Sequence, residues 1–197
     1  MSNSPVPGVT LKTTTANAIH MRYAEAGSGP LVLFCHGWPE SWYSWRHQLK
    51  AVSEAGFRAV APDMRGYGGT QSPEPIDQYT LFHLVGDMAE LVKALGETKA
   101  VIVGHDWGAP VAWHAALWRP DLFTAVCAMS VPYAPAGYVD ILTALEKLGI
   151  DNFYLQYFQK PGVAEAELQQ DIRGALLRLY YTAGGEMLEK DKGFGRL

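Results

Sequence analysis

The 197-residue sequence is 48% apolar and 18% charged, enough to bury a large core and too apolar for a disordered segment. Its 16 Lys+Arg against 20 Asp+Glu give a formal charge of −4 with no long run of either sign, which argues against a nucleic-acid or anionic-membrane partner. The apolar runs are far too short to span a bilayer, and Met1 to Gly8 has neither a basic head nor an apolar stretch, so a soluble, cytoplasmic chain is expected.

Residues 9–25 predict two modest strands with a turn near Ala16-Asn17. Gly27-Ser-Gly-Pro30 punctuates, and Leu31-Val-Leu-Phe-Cys35 is a short apolar run suited to a strand covered on both faces. Trp42, Trp45, Leu49 and Val52 follow at steps of 3, 4 and 3, one stripe on a helix that stops at Gly56. Phe57–Ala61 predicts the next strand, and a Gly- and Pro-rich loop covers 66–75. Leu81, Leu84, Val85, Met88, Leu91, Val92 and Leu95 mark one face of a helix ended by Gly96. Ala100–Val103 predicts a strand, Val111–Trp118 a helix and Phe123–Met129 another strand. Such alternation implies right-handed crossovers and an α/β fold: a mostly parallel sheet with helices on both faces. The two cysteines, Cys35 and Cys127, fall in its strands and are expected as free, buried thiols.

After Pro132 the rhythm changes. Residues 140–148 and 164–181 predict helices, separated by the aromatic stretch Phe153–Phe158 and by Pro161-Gly162. No strand-like run follows before Leu197. The organisation expected is therefore an α/β core over 1–132 and an incomplete helical lid over 133–197, with the C-terminal strands of the sheet missing.

The strongest chemical signal is Gly104-His-Asp-Trp-Gly108, which closes a strand and opens a helix. A nucleophile on so sharp a turn needs Gly-sized neighbours, and the turn thrusts Asp106 up at the carboxyl end of the sheet, where parallel α/β folds bind ligands. The bland alternative is Asp106 as a helix N-cap. An aspartate is ordinarily ionised at neutral pH and needs no activating base. It is a poor acyl-transfer nucleophile, since it would form an anhydride, but it suits attack on a saturated carbon bearing a leaving group. The resulting ester must then be hydrolysed, which requires an oxyanion hole and a general base for water.

His36-Gly-Trp-Pro-Glu-Ser41, Ala61-Pro-Asp-Met-Arg-Gly-Tyr-Gly69, Gly104-His-Asp-Trp-Gly-Ala109 and Tyr154–Glu167, in that order, resemble soluble epoxide hydrolases of the α/β-hydrolase fold. The resemblance implies that Asp106 attacks an epoxide carbon and that the lid tyrosine Tyr154 protonates the opening oxygen, with Tyr157 its neighbour. It implies an oxyanion hole from the backbone N–H groups of Trp38 and Trp107, and a cis peptide at Trp38-Pro39. A substrate pocket walled by His36, Pro39, Phe153, Tyr157 and Phe158 would take a small apolar epoxide, with no cofactor and no metal. A haloalkane dehalogenase shares the Asp elbow but offers Asn where this chain has Trp38. A non-catalytic ligand-binding remnant of the fold is the alternative from another class.

Other residues have blander readings. Asp63 and Arg65 are expected to hold a turn together, and His105 to pack beside the nucleophile. His20, His47 and His83 are expected on strand or helix faces without partners. The resemblance also implies a base histidine, its carboxylate and a second lid tyrosine after the lid. The only histidine after the elbow is His114, on the helix leading away, so an incomplete chain is expected.

Overall fold

The computed structural model describes residues 2–135, 141–151 and 153–183. It divides into two compact units, Met1–Tyr133 and Ala134–Leu197.

The first unit carries a seven-stranded sheet. Strands β1 (Ser2–Asn3), β2 (Thr10–Ala16) and β3 (Ile19–Ala26) pair antiparallel, and β4 (Leu31–Cys35), β5 (Arg58–Pro62), β6 (Ala100–His105) and β7 (Phe123–Met129) are mutually parallel. The order is β1-β2-β3-β5-β4-β6-β7, with β3 antiparallel to β5. Helices α1 (Arg46–Glu54), α2 (Leu81–Ala94) and α3 (Gly108–Trp118) make the crossovers.

The apolar run of β4 explains its central place. Leu31, Leu33 and Cys35 join Val60, Ile102 and the inner faces of α2 and α3 in one core cluster. Val32 and Phe34 point the other way, into a second cluster with Trp42, Trp45 and Leu49 from the α1 side. A strand buried on both faces cannot alternate apolar with polar residues, and this one does not.

Several local expectations are corrected. The stripe from Trp42 is not one helix: a 3-10 turn over Trp42–Trp45 precedes α1, begun by Ser41, whose Oγ accepts the Tyr43 amide at 3.3 Å. Cys35 is buried, but Cys127 is exposed, because β7 ends the sheet order and most of its residues lie uncovered. His20 and His83 do have partners: their Nδ1 atoms lie 3.4 Å from Thr15 Oγ1 and 2.9 Å from Thr80 Oγ1. Pairing of β1 with β2 had no sequence signal.

The described part of the second unit is helical: α4 (Ile141–Lys147), α5 (Tyr154–Tyr157), α6 (Val163–Leu168), a 3-10 turn over Gln169–Asp171, and α7 (Ile172–Ala183). The single helix expected over 164–181 is interrupted where Asp171 Oδ1 accepts the Gly174 amide at 2.9 Å. Residue 140, the expected start of the first of these helices, and residues 184–197 lie outside the described residues. Among the described residues no helix is long and apolar enough to cross a membrane.

Candidate active site

The turn between β6 and α3 has the geometry its glycines predict. Asp106 sits at φ +52°, a left-handed conformation uncommon for any residue but glycine and asparagine or aspartate. A Cβ on Gly104 would overlap the Gly108 carbonyl, and one on Gly108 would overlap the carbonyl of Cys35. Strand, turn and helix can therefore close this tightly only with both side chains absent. Pro110 falls in the first turn of α3, where its missing N–H costs nothing. The Asp106 carboxylate reaches across to the neighbouring loop, where its Oδ1 accepts the Trp38 amide at 2.9 Å.

That loop leaves the carboxyl end of β4. Cys35 is in register with Gly104, so the loops after β4 and β6 emerge side by side. One chain path runs from β4 outward to β5 and the other crosses back to β6, the switch point at which open α/β sheets bind ligands. Gly37 lies so close to Asp106 that a Cβ there would collide with its carboxylate. Glu40 Oε2 accepts the Gly37 amide at 3.1 Å, and the Trp38–Pro39 peptide is cis. Trp107, half exposed, follows Asp106 and caps α3, whose first N–H groups have no intrahelical acceptor. Pro39 is half-buried.

The structure puts His36 behind this loop rather than on a pocket wall. It is 2% exposed, its Nδ1 is 2.8 Å from the Gly37 carbonyl, and its Nε2 accepts the Met64 amide at 2.9 Å. Burial pulls its pKa below the usual histidine value, against the raising effects of the Gly37 carbonyl and of Asp63 and Glu40. His105 is likewise not a packed neighbour. It is half exposed with Nδ1 3.5 Å from Glu40 Oε1, and the two line a groove of about 240 Å³ with Ser44, Trp45, Gln48 and Met129. His114 is tied to its own helix, Nδ1 donating to the Pro110 carbonyl at 2.7 Å.

Asp63 and Arg65 do more than hold a turn. Asp63 is fully buried and its carboxylate accepts from Arg22 Nε at 2.7 Å, the Trp42 amide at 3.1 Å and the Gly69 amide at 2.9 Å. It thereby ties the hairpin strand β3 and the start of the 3-10 turn to the loop after β5. Arg65 makes a two-pronged pair with Asp87 on α2, at 2.9 and 2.6 Å. Asn17 Nδ2 adds a third bond to Asp87 at 2.8 Å. The sequence reading assigned no role to Glu40; an acid three residues after Gly37, able to reach its amide, is the signal that could have found it.

In the second unit, Tyr154 packs between aromatic neighbours. Its ring centroid is 4.8 Å from Phe153, tilted, and 5.7 Å from Phe158, edge-on. The Tyr157 hydroxyl donates to Glu167 Oε2, and that carboxylate raises the phenol's pKa.

Comparison with known proteins agrees with this architecture. Residues 30–160 match the family model described as alpha/beta hydrolase fold, and the chain belongs to that family. Within it, the chain is 45% identical over 192 residues to epoxide hydrolase 2 of Siraitia grosvenorii, covering 94% of this chain and 60% of that protein. It is 43% identical to epoxide hydrolase A of Mycobacterium tuberculosis, covering 86% of this chain and 54% of that one. The solved structure of epoxide hydrolase VrEH1 from Vigna radiata superposes with a TM-score of 0.84 at 44% identity, over 90% of this chain and 56% of that one. The chain thus spans about half the length of the curated relatives it matches.

Proposed function

We propose that this chain carries the ester-forming machinery of an epoxide hydrolase, with Asp106 as nucleophile and Tyr154 as the acid. Asp106 attacks one ring carbon of a small apolar epoxide through Oδ2. The C–O bond breaks, the ring oxygen leaves as an alkoxide, and it takes the phenolic proton of Tyr154. A neutral phenol suits that task, since with an ordinary pKa near 10 it stays protonated at working pH.

The single observation that carries the reading is the bond from the Trp38 amide to Asp106 Oδ1. The oxygen already held by a backbone donor becomes the carbonyl oxygen of the ester, and it is the one on which charge develops when water attacks. The donor therefore stabilises the tetrahedral intermediate without reorganising, and the Trp107 amide is the proposed second donor. Hydrolysis also needs a base for the water. His114, bonded to the Pro110 carbonyl on α3, does not supply it. Pro39, Phe153, Tyr157 and Phe158 are proposed as apolar pocket wall.

The test is covalent trapping. Incubation with an aryl epoxide is expected to add the mass of one substrate molecule, mapped to the peptide bearing Asp106, and Asp106→Asn is expected to abolish it. An unmodified protein, or an adduct elsewhere, overturns the assignment and favours a binding module. Halide release from a haloalkane, with no epoxide adduct, assigns the elbow to dehalogenation instead.

A further inference from the structure

His36 is buried, yet both its ring nitrogens are spoken for, and by partners of opposite kind. The Gly37 carbonyl can only accept and the Met64 amide can only donate. One arrangement satisfies both: a neutral ring with its proton on Nδ1 and a lone pair on Nε2. The ring therefore spans two structures of different origin. On one side is Gly37, the residue packed against Asp106 and adjoining the Trp38 amide; on the other is Met64, next to the fully buried Asp63 that anchors the loop after β5. Tyr67 meets the ring edge-on at 4.9 Å and blocks movement on that side.

We propose that His36 is a positioning residue: as the Nδ1–H tautomer it braces the loop bearing the Trp38 amide against the loop after β5, and a second ring proton breaks that brace. A proton on Nε2 would face the Met64 N–H, two donors head to head in a site too closed for water to intervene. Asp63 on the loop after β5 and Glu40 on the histidine's own loop are the charged groups that act on it. Burial lowers its proton affinity and prevails over the Gly37 carbonyl and these two carboxylates, all of which favour the protonated ring. The strut follows from the hydrogen bonds alone; its consequence for the reaction rests on the proposed role of the Trp38 amide.

Nitrogen-15 NMR of the protein labelled at its six histidines tests the strut directly. His36 is expected to show the Nδ1–H pattern and to titrate below the ordinary histidine value. An Nε2–H pattern, or titration of His36 at or above the ordinary histidine value, overturns the proposal whatever the protein catalyses. The second readout is amide exchange at Trp38 and Met64. His36→Asn keeps a donor toward Gly37 and loses the acceptor for Met64, so protection at Met64 is expected to fall about tenfold, with Trp38 following. In the unaltered protein the same loss is expected as pH drops through the titration of His36, which keeps the test alive if the variant does not fold. Unchanged Trp38 protection in both experiments overturns the brace. If the brace holds and no Asp106 adduct forms, it is the reaction assignment that fails.

Discussion

The Trp38 amide and the Asp106 carboxylate, 68 residues apart in sequence, meet at 2.9 Å where two neighbouring parallel strands end. Neither group could be held there by its own loop. Asp106 is lifted by a left-handed turn that two glycines make room for, and Trp38 is presented by a loop whose Gly37 lies flat against the carboxylate. The site is thus a contact between the backbone of one loop and the side chain of another, and it is sensitive to single methyl groups.

Gly37→Ala puts that sensitivity to the test. The added Cβ would overlap Asp106 Oδ1, and the cheapest relief is rotation of the carboxylate away from the Trp38 amide. Misplacement of a reacting group by about 1 Å costs on the order of 10²-fold in rate. A single-turnover measurement of ester formation is expected to show that loss, while the far-ultraviolet spectrum stays that of the unaltered protein.

The pair of Arg65 and Asp87 is expected to behave asymmetrically on mutation. Both side chains are essentially excluded from solvent, at 1% and 0% exposure. Asp87→Ala strands the guanidinium without its carboxylate and is expected to destabilise the fold by about 3–5 kcal/mol in urea unfolding. The double replacement Arg65→Met with Asp87→Leu removes both charges and is expected to recover most of that loss. Equal destabilisation by the single and double variants would mean that packing, not the stranded charge, sets the cost.

The two cysteines separate by environment. Complete burial pushes the Cys35 thiol up to about 12, so it presents almost no thiolate at pH 8. Cys127 is exposed on β7. One thiol, mapped to Cys127, is expected to react with a thiol-specific reagent in the native protein, and both after unfolding. Native labelling of Cys35 would show that the central strand opens readily.

What could be read ahead of the structure was what depends on nearest neighbours. Five apolar residues in β4 announce a strand buried on both faces, and Gly104-x-Asp106-x-Gly108 announces a tight turn in which Gly104 must clear the Gly108 carbonyl, although the neighbour that Gly108 clears is Cys35 on β4. Cys127 was misjudged because its strand looks like β4 in composition, and only the sheet order reveals that it ends the row. His36 was misjudged because its partner Met64 lies 28 residues on, brought near by the pairing of β4 with β5. The Asp63 cluster is hidden for the same reason, since its partners come from a hairpin, a 3-10 turn and a loop.

Tyr154 and Tyr157, three residues apart, are expected to differ sharply in their effect on ester formation. Tyr157 donates its hydroxyl proton to Glu167, whose negative charge makes that proton harder to remove. A phenol so engaged is a poor donor to a leaving oxygen, whereas the acid role falls to Tyr154 in the proposed reaction. Tyr154→Phe is therefore expected to slow ester formation by ~10²–10⁴-fold. Tyr157→Phe removes one exposed hydrogen bond and is expected to cost about tenfold at most. Glu167→Gln supplies an independent check, because loss of the carboxylate is expected to bring the Tyr157 titration back down toward the ordinary tyrosine value in ultraviolet difference spectra, with the rate of ester formation little changed. If Tyr157→Phe proves as damaging as Tyr154→Phe, the roles of the two residues must be exchanged.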